Sequence, residues 1–208
     1  MEALSFSNVD ESRVCYEKSM EFAEKALKLD ETDYQAHISI AWCLLYRHDY
    51  ERMKKHVDRA IQLNPNDADI LAHAAYMLAM YGEADLAVTR GEAAIRLNPR
   101  HPDWYLALHG MALFAARRYP EALAVREKVA EYFIDSTFIG AAILAHMGRL
   151  SEARQWAERA VARLRARPGG PEQAAKGCIQ LILDNNPFRR QEDRDHFAEG
   201  MRKAGVPG

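Results

Sequence analysis

Apolar residues recur along this 208-residue chain at the three-to-four-residue spacing of amphipathic helices, and the predicted helices come in pairs. One runs through Ile38, Ala41, Leu44 and Leu45; after His48-Asp49-Tyr50 a second carries Met53, Val57, Ala60 and Leu63 on one face. A third passes through Leu71, Ala74, Ala75 and Leu78 and breaks at Gly82, and a fourth returns through Leu86, Ala87, Ala94 and Leu97. Thr32 with Gln35 three residues on predicts a capping box at the first of these starts, and Asn66 or Asp67 opens the third. Gly82 suits a left-handed cap, while Pro65 and Pro99 each stop one helix before the next begins.

The chain also repeats itself. Ala60-Ile61-Gln62-Leu63-Asn64-Pro65 returns thirty-four residues later as Ala94-Ile95-Arg96-Leu97-Asn98-Pro99, the period of a stacked helix-turn-helix array. In these residues the chain resembles tetratricopeptide-repeat proteins. The resemblance implies an all-α, right-handed superhelical solenoid of helix hairpins, with units at 34–67 and 68–101. It puts Ala41 and Ala75 where the first helix needs a small residue, and Ala60 and Ala94 where the second does. Two helices that cross closely leave no room for a large side chain there. Met53 departs from the usual alanine.

Irregular units flank this middle. Tyr119-Pro120-Glu121-Ala122 and Leu150-Ser151-Glu152-Ala153 read as turn and second-helix start of units at 102–133 and 134–167, with Gly110, Leu113, Val129, Ala141, Leu144, Gly148 and Ala160 around them. The steps from Ala87 to Ala122 and on to Ala153 are 35 and 31 residues, so the spacing drifts, and residues 131–135 are expected to turn tightly. Upstream, Ala26 falls one period before Ala60 and Tyr16 before Tyr50. Residues 11–29 therefore read as the second helix of a truncated repeat at 1–33, and the chain is expected to be the tail of a longer protein or a fragment of one. Downstream, Pro168-Gly169-Gly170 breaks the array and Pro171 starts a helix running through Leu183, which Asn185-Asn186-Pro187 ends. A last helix from Gln191 to Ala204 puts Phe197 and Met201 on one face, and 168–208 is expected to cap the array.

Composition narrows the classes. Hydrophobic residues make up 49% and charged residues 28%, an ordinary globular balance. Net charge is −2, divided as 12 Lys/Arg against 17 Asp/Glu over residues 1–101 and 16 against 13 over the rest; no strongly basic face for nucleic acid is indicated. Cys15, Cys43 and Cys178 are odd in number and far apart, which predicts free thiols rather than a disulfide or zinc framework. With no apolar run long enough for a membrane span and no signal-peptide layout, a cytoplasmic location is expected.

Chemistry finds little support. Phosphate-binding loops, the GxSxG elbow, HExxH and the EF-hand loop are absent. Asp193-Arg194-Asp195-His196 is the nearest approach to a metal cluster, but one helical turn spreads those side chains around the axis. Arg154, Arg159, Arg163, Arg165 and Arg167 are read as solvated and as complementing a helix dipole. No enzyme, metal or cofactor is expected. The informative set lies on the first helices, which line the concave groove in tetratricopeptide folds: Ile38, Trp42, Leu45, Tyr46, Tyr76, Met80, Trp104, Met111, Phe114, Phe138 and His146. Such an apolar, aromatic trough suits a peptide or amphipathic helix from a partner protein or from the parent chain itself. It lacks the Lys, Arg and Asn of a clamp for a terminal carboxylate. The alternative reading is a homo-oligomerisation scaffold, with a dimer formed through the groove or the terminal helices.

A closer resemblance rests on Asn98-Pro99-Arg100-His101-Pro102-Asp103-Trp104-Tyr105, Arg118-Tyr119-Pro120-Glu121-Ala122, Asn186-Pro187-Phe188 and His196-Phe197-Ala198-Glu199-Gly200-Met201-Arg202-Lys203-Ala204-Gly205. These stretches are similar to the C-terminal repeat region of bacterial class III adenylate cyclase-like proteins. That likeness implies a regulatory module of a signalling protein whose catalytic domain lies elsewhere.

Overall fold

The computed structural model describes residues 9–129, 134–175 and 177–208. Every regular element among them is helical: α1 (Val9–Leu29), α2 (Tyr34–Tyr46), α3 (Tyr50–Leu63), α4 (Ala68–Tyr81), α5 (Ala84–Leu97), α6 (Asp103–Ala115), α7 (Tyr119–Arg126), α8 (Ile134–His146), α9 (Leu150–Arg165), α10 (Gly170–Ala175), α11 (Cys178–Asn185) and α12 (Gln191–Lys203). Helices α2 with α3, α4 with α5, α6 with α7 and α8 with α9 form consecutive hairpins, and each hairpin packs on the next. Among the described residues no helix is long and apolar enough to cross a membrane.

One backbone device makes all four hairpin turns. The first or second residue beyond each first helix is left-handed: His48 (φ 58), Gly82 (φ 102), Arg117 (φ 62) and Gly148 (φ 76). The next N–H then reaches back to the helix, from Asp49 to the Leu44 carbonyl, Glu83 to Leu78, Arg118 to Leu113 and Arg149 to Leu144, at 2.9–3.0 Å. This satisfies carbonyls that the end of a helix otherwise leaves open. The two non-glycine residues adopt a conformation that ordinarily costs a side chain about 1–2 kcal/mol, and both use the resulting direction. His48 Nδ1 meets the Tyr50 hydroxyl at 2.9 Å, and Arg117 reaches Asp193 on α12.

The first and second helices differ in character. α4, ADILAHAAYMLAMY, is apolar around most of its circumference and buried from Ile70 to Met80 except at His73. α3, YERMKKHVDRAIQL, buries only Met53, Val57 and Ala60 and turns its charges outward. A helix apolar on all sides belongs inside, and one with a single stripe belongs at the surface. At the crossings Ala41, Ala60, Ala75, Ala87, Ala122, Ala141, Ala153 and Ala160 are fully buried, Ala94 is 1% exposed and Gly110 is buried. A smaller cluster of Leu71, Ala72, Ala94 and Tyr105 lies between the second and third hairpins, where the Tyr105 hydroxyl donates to Asp69.

Two local expectations are corrected. Asp33, not Thr32, caps α2: its Oδ1 accepts from the N–H groups of Gln35 and Ala36, both at 3.0 Å, whereas the Thr32 hydroxyl donates to Asp30. A carboxylate is the stronger acceptor for two helix-start donors. The helix expected from Pro171 through Leu183 is divided into α10 and α11, with Gly177 at φ 109 before α11. Of the tight turn expected over 131–135, residues 131–133 lie outside the described residues.

Candidate functional site

The inner face, lined by α2, α4, α6 and α8, is not empty. After α9 the chain doubles back: α11 leads to a bent, non-helical stretch across the ends of α2 and α4, and α12 then lies along α8. The stretch is held mainly through its backbone. Tyr46 and Tyr76 both donate their hydroxyls to the Asn185 carbonyl, at 3.4 and 3.2 Å, and Tyr50 donates to the Phe188 carbonyl at 3.4 Å. The Arg189 N–H donates to the Met80 carbonyl at 2.8 Å. Side chains add to this grip. Asn186, 2% exposed, accepts the Tyr76 hydroxyl at 3.1 Å and donates to the Ile182 carbonyl at 2.8 Å. The Arg189 guanidinium sits 4.0 Å from the centre of the Tyr81 ring and 2.7 Å from Glu51. Arg190 crosses Gly82 so closely that a Cβ there would lie 2.4 Å from its Nε.

At the other end α12 closes over α6 and α8. Phe197 packs against Phe114 and Phe188, Asp193 pairs with Arg117 at 2.8 Å, and a Cβ on Gly200 would meet His146 Nε2 at 2.7 Å. The His146 and His196 rings stack at 3.8 Å and 10°, and Tyr119 joins them through its hydroxyl, 2.6 Å from His196 Nε2. His146 Nε2 lies 3.0 Å from the His196 carbonyl, which can only accept, so this nitrogen carries the proton. Burial lowers both imidazoles. For His196, burial and the nearby Arg117 bring it down to about 4. Glu199 completes a cluster in which one ligand atom of each residue lies within 4.8 Å of the others. The rings are parallel and in separate planes, so their in-plane lone pairs do not converge on one ion. Glu199 instead holds Lys203 at 2.7 Å. The arrangement is a neutral aromatic stack that joins α12 to the array.

The third part of the inner face is an aromatic row. Tyr16 stacks on Tyr46 at 4.7 Å, Trp42 on Tyr76 at 5.3 Å, and His73 on Trp104 at 4.8 Å. The Trp42 Nε1–H donates to His73 Nδ1 at 3.2 Å, which leaves the proton of this neutral ring on Nε2. Burial lowers His73 to about 4. Trp42, His73 and Trp104 are half-buried, so this row presents ring surface that the C-terminal segment does not cover.

The residues expected to line the groove are thus divided. Tyr46, Tyr76, Phe114 and His146 face the C-terminal segment and bind it. Trp42 and Trp104 belong to the open row. Ile38, Leu45, Met111 and Phe138, at 5% exposure or less, are interior side chains that offer no open surface, and Met80 contributes its carbonyl while its side chain is fully buried. Their apolar character answers to helix packing. Tyr50, His73, Tyr119 and His196 were missed. His73 carries a readable signal, one turn before Tyr76 on the same helix, but nothing in the spacing announces that α12 returns to Tyr119. Of the cysteines, Cys43 and Cys178 are buried and Cys15 is exposed, and all three are free thiols.

No protein-family model matches this chain, and no curated protein sequence matches it. Solved structures do resemble it in fold. YrrB, described as a TPR protein with an unusual peptide-binding site, is 19% identical, with 88% of this chain and 90% of that one covered at a TM-score of 0.52. PilF of Pseudomonas aeruginosa is likewise 19% identical, with 86% and 79% covered and a TM-score of 0.55. The fold is the all-α, right-handed superhelical solenoid of tetratricopeptide-type hairpins, ended by C-terminal helices.

Proposed function

We propose that this chain is a non-catalytic protein-interaction module that takes a peptide or helical segment of a partner on its inner face, as part of a larger signalling protein. The observation that carries this reading is the half-buried Trp42–His73–Trp104 row. Large flat side chains with few rotatable bonds, gathered on one face and left partly uncovered, are the usual anchors of protein recognition. The neighbouring part of the same face already holds the Asn185 and Phe188 main-chain carbonyls through tyrosine hydroxyls, so the surface has groups suited to peptide recognition. The fold shared with YrrB, a protein described by its peptide-binding site, is in keeping with this.

The test is selection from a displayed peptide library on the immobilised full chain, with binders re-measured on a chain carrying Trp42→Ala and Trp104→Ala. The reading expects enriched aromatic or aliphatic sequences whose affinity falls at least ten-fold on the double variant while helical circular dichroism is retained. No enrichment, or binders indifferent to both tryptophans, would overturn it.

A further inference from the structure

The C-terminal stretch is bound as a ligand is bound. Helix α10 packs on α9, whereas α11 touches α8 and α12 lies mainly along α8 with a smaller contact on α9. The connection runs through Gly169 at φ 71 and Gly177 at φ 109, two points where the chain turns in a way other residues resist. The contacts at the crossing combine directed hydrogen bonds with burial of Ile182, Leu183 and Phe188 in the main core. Hydroxyls from α2, α3 and α4 address main-chain carbonyls, and the array also meets two side chains, Asn186 and Arg189, while Phe188 packs within the tail. Asn186 enters between Tyr76 and the end of α11. Phe188, 5% exposed, packs on Phe197. Arg189 lies on the Tyr81 ring with its charge at Glu51.

We infer that residues 185–190 are a resident ligand of the inner face, and that the partner this face accepts is a protein segment of the same chemistry: a helix end followed by an asparagine–proline break and then an arginine. The inference rests on the reading of the inner face as an interaction surface. Each seat favours its side chain for a physical reason. Pro187 keeps the chain from continuing as helix beyond Asn185, the last α11 residue, whose carbonyl receives Tyr46 and Tyr76. The Asn186 side chain satisfies a donor and an acceptor at once, which neither aspartate nor leucine does. An arginine over Tyr81 combines a cation–ring contact with a carboxylate partner. A tethered ligand acts at an effective concentration of order millimolar, so a free segment of this kind gains the seat only when it binds more tightly or when the tail is loosened.

The experiment uses a fluorescein-labelled synthetic peptide of residues 178–208 and reads its anisotropy against the full chain. It compares the unsubstituted chain with one carrying Arg189→Glu and Arg190→Glu, which loosens the resident segment. The peptide is expected to bind the substituted chain at least ten-fold more tightly than the unsubstituted one, and to lose that advantage when the peptide itself carries Arg189→Glu. Equal binding to both chains, or a charge-reversed peptide that binds as well as the native one, would overturn the inference. Hydrogen exchange on the unsubstituted chain guards against a variant that fails to fold. Amides of 185–203 are expected to exchange at least ten-fold faster than those of α4, and equal protection would make the segment fixed core and end the proposal. Peptides selected on the open tryptophan row separate the two readings. If they still bind the substituted chain while the native peptide does not, only the ligand class falls; if neither binds, both fall.

Discussion

The rings of His146 and His196 lie parallel, 3.8 Å between centroids, one on α8 and the other on α12. Both are held below the usual histidine range by burial first; for His196, brought to about 4, Arg117 comes next, and for His146 Lys203 adds to it. An unfolded chain binds protons at these sites at a higher pH than the folded one, so stability is fully present above about pH 6.5 and is lost as pH falls toward 4. Allowing for solvent around half-buried rings, His196 accounts for about 1 kcal/mol between pH 7 and pH 5, or ~2–4 °C of melting temperature for a domain of this size. His73, lowered to about 4 by burial, acts in the same direction. Thermal melts across that range are expected to show the fall, and His196→Gln to reduce it by about the 2–4 °C assigned to that ring.

Tyr76→Phe removes one hydroxyl and nothing else from the shape of the groove. The Asn185 carbonyl keeps Tyr46, while Asn186 Oδ1, inside the protein, loses its phenol donor. The expected cost is about 1–2 kcal/mol in urea unfolding. Faster hydrogen exchange confined to residues 185–190 would identify its origin.

Gly200→Ala tests the closest approach of α12 to the array. The added methyl would sit 2.7 Å from His146 Nε2 and 2.9 Å from the Ala142 Cβ, so α12 must shift. The substitution favours the helix locally and still should destabilise the chain by ~1–3 kcal/mol, as overpacking does. A neutral or stabilising result in denaturant titration would mean that α12 stands farther from α8 than described.

Asp33→Ala and Thr32→Ala distinguish the two caps. Loss of the Asp33 carboxylate orphans two N–H groups at the start of α2 and should cost about 1 kcal/mol, while Thr32→Ala, whose hydroxyl only meets exposed Asp30, should change the unfolding midpoint little. The reverse order would restore the capping box at Thr32.

These cases show what was legible. Helix pairing followed from the 34-residue repeat, because burial of one stripe per helix imposes a period that the sequence must display. The Thr32 error arose because two adjacent short polar residues both suit the end of a helix, and only backbone direction selects between them. The groove was harder to read. α4 is apolar around nearly its whole circumference, which states that its inner side is covered but not by what. We read an open trough for a partner; the chain covers much of it with its own Asn185–Phe188 stretch. No local periodicity encodes a contact between Tyr46 and a residue 139 positions away.

That same contact changes how such an array should fold. A stack in which every hairpin touches only its neighbours has low contact order, adds stability unit by unit and can begin anywhere. Here the first hairpin is tied to the end of the chain by Tyr46 and Tyr50, so the last bonds to form wait for an array whose inner face already exists. Seating of the tail is therefore expected to follow formation of the hairpins. While the tail is seated, the outer hairpins share its stability instead of fraying independently.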